Sequence, residues 1–89
     1  MDLTAAEVER LFEELGMCGV TLMIQVEQSL IAVGKPPWEI LVSGPAVPPG
    51  GIQVGACSTF RQCLESGLRE LRESPGDWGW LDVYLQPGS

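Results

Sequence analysis

The chain of 89 residues contains no histidine and only three cysteines, Cys18, Cys57 and Cys63. Without an imidazole it lacks the usual general base near neutral pH, the partner of serine and cysteine nucleophiles, and the commonest zinc ligand. The cysteines form no C-x-x-C pair, and their odd number argues against a disulfide framework and for a reducing compartment. We therefore expect no metal, no cofactor and no enzymatic activity.

Basic residues are also scarce, because five Lys and Arg oppose twelve Asp and Glu, giving a net charge of −7. Binding to a phosphate backbone needs a concentrated basic surface, so we expect no direct contact with nucleic acid. An acidic protein can instead approach a basic surface on another protein, including one that normally holds nucleic acid. In the alternative interpretation the charge only keeps a small protein soluble.

The sequence has no long apolar run, because residues 20–33 are interrupted by Gln25, Glu27 and Gln28. This pattern predicts no membrane span. The opening Met-Asp-Leu lacks the basic segment of a secretion signal, which favours a cytoplasmic location, in the host cytoplasm if a phage encodes the chain. The length predicts one domain over residues 1–89.

Two helix starts carry capping signals. Thr4 with Glu7 predicts a capping box ahead of an amphipathic helix that Gly16 is expected to end. Thr59 with Gln62 predicts the same at the start of a second helix over residues 59–73. Glycine at position 67 falls on the apolar face of that helix, which predicts close approach to another element.

Alternating apolar residues predict strands over residues 20–26, 38–43 and 52–56, and a short apolar run predicts another over 30–33. A last strand is predicted over residues 77–86. Short turns between strands favour antiparallel pairing. The predicted fold class is therefore α+β: a two-layer sandwich with an antiparallel sheet of three to five strands and two helices on one face.

The predicted last strand, DWGWLDVYLQ, raises the main functional hypothesis. Alternation would turn its aliphatic residues toward the core and its aromatic and acidic residues outward, where tryptophan and tyrosine favour recognition. The predicted partner-binding residues are Glu9, Glu13, Glu14, Asp77, Trp78, Trp80, Asp82 and Tyr84. Two alternatives stay open: the rings complete a small core, or they bury against a second copy of the chain.

In length, acidity and the strand-strand-helix order that leads into STFRQCLESGLREL, the chain resembles short acidic inhibitors encoded by bacteriophages and mobile elements, such as anti-CRISPR proteins. The resemblance implies a non-enzymatic protein that binds a host defence or nucleic-acid-binding complex. The order helix, three strands, helix also follows that of double-stranded-RNA-binding domains, but the basic cluster at the second helix start is missing. A structural homo-oligomer, including a homodimer, and a regulatory subunit of a larger enzyme complex are the alternative functions.

Overall fold

The fold is α+β, with several helices and a three-stranded antiparallel sheet in order β1-β2-β3 within residues 2–85, which a computed structural model describes. The elements are α1 (Ala5–Met17), β1 (Thr21–Val26), α2 (Gln28–Ala32), β2 (Trp38–Ser43), β3 (Ile52–Cys57), α3 (Phe60–Glu73), a 3₁₀ turn (Gly79–Leu81) and α4 (Asp82–Leu85). The predicted order of helix, strands and helix is therefore present, with the short helix α2 between the first two strands.

Both long helices begin where the capping signals predict. The Glu7 amide donates to Thr4 Oγ1 at 3.2 Å, and the Thr4 amide donates to Glu7 Oε1 at 3.0 Å, so the capping box of α1 is complete. At α3, the Gln62 amide donates to Thr59 Oγ1 at 3.0 Å. The Gln62 side chain accepts from the amide of Ser58, one residue before the cap, at 2.7 Å.

The end of α1 differs from the prediction at Gly16. The helix continues to Met17, and the left-handed residue is Gly19, with φ of +84°. The amide of Val20 donates to the Leu15 carbonyl at 3.0 Å, which closes the turn into β1. The chain therefore reverses three residues later than expected, because the glycine that the turn requires is the second of the two.

Strands β1 and β2 pair without a register shift, from Thr21 opposite Ser43 to Val26 opposite Trp38. The prediction of residues 38–43 is confirmed, and those of 20–26 and 52–56 agree to within one residue at one end. The predicted strand at 30–33 was wrong, since these residues belong to α2 and its C-terminal turn. The Lys35 amide donates to the Leu30 carbonyl at 2.9 Å, so the connection closes on itself as a compact turn.

The core lies between the sheet and the helices. Helix α3 packs against β2 and β3, and α1 packs against β1. The predicted close approach at Gly67 is confirmed, because a Cβ atom there would lie 2.9 Å from Ile40 Cδ1. The fully buried side chains are Leu11, Leu15, Ile40, Val42, Cys63, Leu64, Leu68, Leu71 and Leu81.

The predicted strand over residues 77–86 was wrong in its described part, and residue 86 lies outside the described residues. The segment forms the 3₁₀ turn and α4 instead. Helical rather than alternating spacing turns Trp78, Leu81, Tyr84 and Leu85 toward the core together. Trp78 Nε1 donates to the Pro75 carbonyl at 3.2 Å, which satisfies the polar atom of the buried indole.

Candidate protein-interaction surface

The predicted partner-binding residues divide into three groups in the structure. Glu9 and Glu13 are exposed on α1, and Glu14 beside them is half-buried. Asp77 and Asp82 are exposed near the C-terminal end of the described chain. The aromatic residues form the third group and do not share one outward face.

The prediction that Trp78 and Tyr84 point outward was wrong. Their exposed fractions are 4% and 6%, because the helical turn places both in the core. Trp80 is half-buried, and its ring meets Tyr84 edge-on, with ring centroids 6.2 Å apart and planes at 85°. Only Trp80 among these three rings retains a substantial surface for a partner.

Helix α1 carries an outward surface of like charge, which we call the α1 acidic face and define by Glu9, Glu13 and Glu14. Arg10 is the one base among the helix residues, and the last turn contains none. Carboxylates near a helix C-terminus oppose the helix dipole, and like charges four residues apart repel. Burial of Leu11 and Leu15 on the opposite side holds the helix in place despite these costs.

Glu7 belongs to the same helix but has a structural task. Hydrogen bonds from the backbone and side chain of Thr4 hold the pKa of Glu7 below its ordinary value. This carboxylate is therefore committed to the capping box, and it is distinct from the α1 acidic face.

The arginines of α3 are each engaged by a carboxylate away from the α1 acidic face. Arg61 lies 3.3 Å from Asp2 and Arg69 lies 2.7 Å from Glu65. Arg72 Nε donates to Asp82 Oδ1 at 3.0 Å, and this partner raises the pKa of the guanidinium. No ion pair within residues 2–85 joins a base to Glu9, Glu13 or Glu14.

Asp82 is less available to a basic partner than Asp77, because Asp82 already pairs with Arg72. The Arg72 guanidinium makes two hydrogen bonds to Asp82, at 3.0 and 3.4 Å, which leave less of this carboxylate for an external base. Asp77 follows α3 and has no such contact in the described chain. Of the predicted carboxylates, the exposed Glu9, Glu13 and Asp77 are the most available to a basic partner.

Two apolar surfaces were not predicted from the sequence. On the sheet face away from the helices, exposed Met23 lies opposite Leu41 in the register of β1 and β2. At the connection between these strands, Val26, Ile31 and Val33 are exposed, and α2 buries none of its residues. The sequence does contain a sign of the surface between the strands, because the 18 residues 21–38 include only two charged side chains, Glu27 and Lys35.

A half-open cleft of about 440 Å³ lies between the first turns of α1 and α3. Its walls are Leu3, Val8, Thr59, Phe60, Arg61 and Leu64. The Phe60 ring also meets Trp38 edge-on, with centroids 5.7 Å apart. The cleft and the connection between β1 and β2 therefore lie at the same end of the sheet.

Two of the three cysteines lie in the core and the third lies at the surface. Cys57 and Cys63 are buried, and Cys18 is exposed. Burial, followed by the hydrogen bond and charge of Cys57, raises the pKa of the Cys63 thiol to about 12. A thiol with this pKa is a poor nucleophile near neutral pH.

Over residues 2–85, no group of three or more Cys, Asp or Glu side chains is arranged to hold a metal ion. None of the helices in that range combines the length and apolar character that crossing a membrane requires. No protein-family model, curated protein or solved structure matches this chain.

Proposed function

We propose that the protein is a non-enzymatic, acidic protein-binding module that docks on a basic surface of a partner protein. In this proposal it inhibits a host defence or nucleic-acid-binding complex in the cytoplasm, in the manner of the phage-encoded inhibitors that the sequence resembles. The fold that supports the contact is a two-layer sandwich, with α1 and α3 on one face of the sheet.

The observation that carries the proposal is the α1 acidic face. Its carboxylates lack basic partners in the described chain, while the α3 arginines all have acidic ones. Such a face attracts a basic surface over a distance set by the salt concentration and raises the association rate. Charge of this kind provides steering and orientation more than affinity, so the affinity needs an apolar anchor as well.

Trp80 is the ring of the 77–86 segment that can contribute to that anchor, because it is half-buried, whereas Trp78 and Tyr84 are buried. Tryptophan at an interface buries a large area at a low entropic cost. Trp78 and Tyr84 act indirectly in this proposal, since their packing in the core fixes the segment that carries Trp80.

The unfavourable placement of Glu13 and Glu14 also supports the proposal. Glu14 lies in the last turn of α1 and Glu13 directly precedes it, near the end where a lysine or a neutral residue would favour the helix. Residues that lower stability in the free protein commonly serve a contact that forms only in a complex. The same reasoning fits a regulatory subunit of a larger enzyme, which would use the same acidic contact.

The test is affinity capture with the immobilised full-length protein from a nuclease-treated lysate of the host. Two variants of equal charge are compared: Glu9→Gln/Glu13→Gln on α1 and the control Glu70→Gln/Glu73→Gln on α3, whose carboxylates are also exposed. We expect one partner, released between about 0.1 and 0.5 M NaCl and lost only with the α1 variant. Capture that resists salt, or that both variants retain equally, would contradict the proposal.

A further inference from the structure

Strand β1 forms one edge of the sheet, since β2 is its only strand neighbour within residues 2–85. One step beyond the ladder of these two strands, the Glu27 amide donates to the Pro37 carbonyl at 2.8 Å. Hydrogen bonding alternates along an antiparallel ladder, so the odd-numbered residues of β1 direct their backbone groups toward β2. The amides and carbonyls of Leu22 and Ile24 therefore face outward, in the spacing that another extended strand matches.

The β1 edge lacks the features that usually keep edge strands from pairing. Residues 16–26 contain no charged residue and no proline, and β1 runs beside β2 without a bulge. The other edge strand, β3, pairs with a register shift and contains Ala56 at a φ of +58°, which distorts its outer edge. Of the two edges, β1 is therefore the one that is open to a further strand.

The apolar side chains of β1 are incompletely covered on both faces of the sheet. Leu22 and Ile24 are half-buried, although Val42 and Ile40 directly opposite them on β2 are at most 1% exposed. On the other face, Met23 is 58% exposed. A further strand beside β1 would cover all three of these side chains.

We propose that β1 pairs antiparallel with β1 of a second copy about a two-fold axis at Met23, so that the two sheets join into one of six strands. The order of the side chains identifies the second copy as the occupant. Residues at equal distances on either side of Met23 are alike in chemistry: Leu22 with Ile24, Thr21 with Gln25, and Val20 with Val26. An antiparallel strand of the same sequence therefore places like beside like at each position, which a two-fold contact requires.

The same register also pairs the backbone groups. Leu22 of one copy lies opposite Ile24 of the other, and both residues direct their amides and carbonyls outward, so each of the two such pairs exchanges two hydrogen bonds. Their side chains continue the covered face, and the two Met23 side chains meet on the open face. A shift by one residue would set outward-facing groups against inward-facing ones and exchange the two faces.

The acidic residues nearest the edge do not oppose each other in the paired strands. In this register Glu27, directly after β1, lies opposite Gly19 of the second copy. Glu39 lies on β2 and is separated from the second copy by Gln25, whose side chain donates a hydrogen bond to it. The contact itself is therefore free of charge repulsion.

The rest of the molecule opposes the pairing through its charge. Helix α1 packs against β1, so the two α1 acidic faces lie on the same side of the joined sheet, and each copy has a net charge of −7. Salt screens this repulsion, so the dimer becomes tighter as salt increases. Docking of the α1 acidic face on a basic partner becomes weaker under the same change. The two proposals therefore have opposite salt dependence and can fail independently.

Sedimentation equilibrium of the full-length protein tests the inference at about 20 and about 300 mM NaCl, where the screening lengths differ about fourfold. A contact of one strand is small, so the wild type should form a weak dimer, with a dissociation constant of about 10 to 500 μM that decreases at the higher salt concentration. A wild type that stays monomeric up to about 1 mM in both buffers would overturn the inference.

Two variants of equal net charge identify the edge that pairs. Met23→Lys sets two like charges against each other at the two-fold axis, whereas Gln53→Lys places the same charge on the same face of the sheet but on β3, the opposite edge. We expect Met23→Lys to weaken the dimer at least about tenfold and Gln53→Lys to change its affinity less than about twofold. Equal affinity of the two variants would overturn pairing through β1. Circular dichroism checks that both are folded.

Disulfide cross-linking tests the register without a change of charge. In a Cys18→Ala background, which removes the exposed thiol, Met23→Cys is compared with Thr21→Cys. At the two-fold axis the two Cα atoms lie about 4.5 Å apart, within the range of a disulfide, whereas the two copies of position 21 lie about 14 Å apart. Glutathione disulfide serves as the oxidant and accepts the two electrons when the two thiols join.

Non-reducing electrophoresis should show covalent dimer forming at least about tenfold faster with Met23→Cys than with Thr21→Cys. Equal rates, or faster reaction of Thr21→Cys, would overturn the register centred on Met23.

Discussion

Gly67 of α3 lies directly against Ile40 of β2. A Cβ atom on Gly67 would be 2.9 Å from Ile40 Cδ1 and 3.0 Å from Ile40 Cγ2, closer than side-chain carbons pack. The absence of a side chain at this one position lets the helix approach the centre of the sheet. This contact sets the distance between α3 and the strands that it covers.

Substitution Gly67→Ala should therefore lower stability, although alanine favours a helix by about 1 kcal/mol. Overpacking costs about 1–3 kcal/mol, and the branched Ile40 side chain has few rotamers to accommodate it. Ile40→Val removes Cδ1 and should relieve part of the clash. A double-mutant cycle by urea unfolding should give a favourable coupling above about 0.5 kcal/mol, and simple additivity would contradict the close contact.

Trp78 and Trp80 should differ in their contribution to stability. Because Trp78 is buried, Trp78→Ala should lower the free energy of unfolding by about 3–5 kcal/mol. Trp80→Ala should cost distinctly less, since part of that ring is already in water. Chemical denaturation of both variants measures the difference. Equal small losses would indicate that Trp78 is on the surface, as the alternating sequence pattern predicted.

The three thiols should react in two classes. At pH 8 in the native protein, a thiol reagent should modify the exposed Cys18 rapidly and the buried Cys57 and Cys63 slowly, and all three should react in denaturant. Fast reaction of a second thiol in the folded protein would show that the β3–α3 region opens readily. Cys18→Ala serves as the control, because it should remove the rapid reaction.

The raised pKa of Cys63 also predicts a dependence of stability on alkaline pH. The pKa rises from 9.0 to about 12 on folding, so the unfolded chain releases this proton at lower pH than the folded one. The corresponding stabilisation is complete below pH 9 and is lost as the pH rises toward 12. Unfolding measurements on Cys63→Ala and Cys18→Ala should show a flatter decline over this range only in the first variant.

Neutralising the end of α1 should make the free protein more stable. Glu13→Gln and Glu14→Gln each remove a negative charge from the negative end of the helix dipole, which should add about 0.3–1 kcal/mol apiece. Glu7→Gln should do the opposite, because it weakens the capping box with Thr4. Thermal unfolding of the three variants checks the signs. A loss of stability with Glu13→Gln would mean that this carboxylate has a structural partner.

The sequence predicted the helices whose capping signals act within one turn and the strands whose alternating pattern extends over about six residues. Thr4 and Thr59 identify the helix starts because a capping side chain acts within one turn, and six alternating residues define β1 and β2. The segments 30–33 and 77–86 were assigned wrongly because short apolar runs satisfy helical and strand spacing equally. In the second segment, Trp78 and Leu81 fit a helical period as well as Trp78 and Trp80 fit an alternating one.

The candidate site was predictable to the extent that it depends on α1. Once the capping box sets the register of that helix, the apolar stripe places Glu9 and Glu13 on the solvent side. The burial of Trp78 and Tyr84 was not predictable, because it depends on how the chain turns after Pro75. The exposure of Ile31 and Val33 was missed for the same reason, since it depends on how the elements within residues 2–85 pack together.

We propose that the carboxylates of α1 form the contact with a basic partner, and calorimetric titration of the captured partner measures how much they contribute. Replacing Glu9 and Glu13 by glutamine should weaken binding at least about tenfold and reduce its salt dependence, whereas Glu70→Gln/Glu73→Gln should change affinity less than about twofold. Equal affinity for both variants and the wild type would contradict the claim.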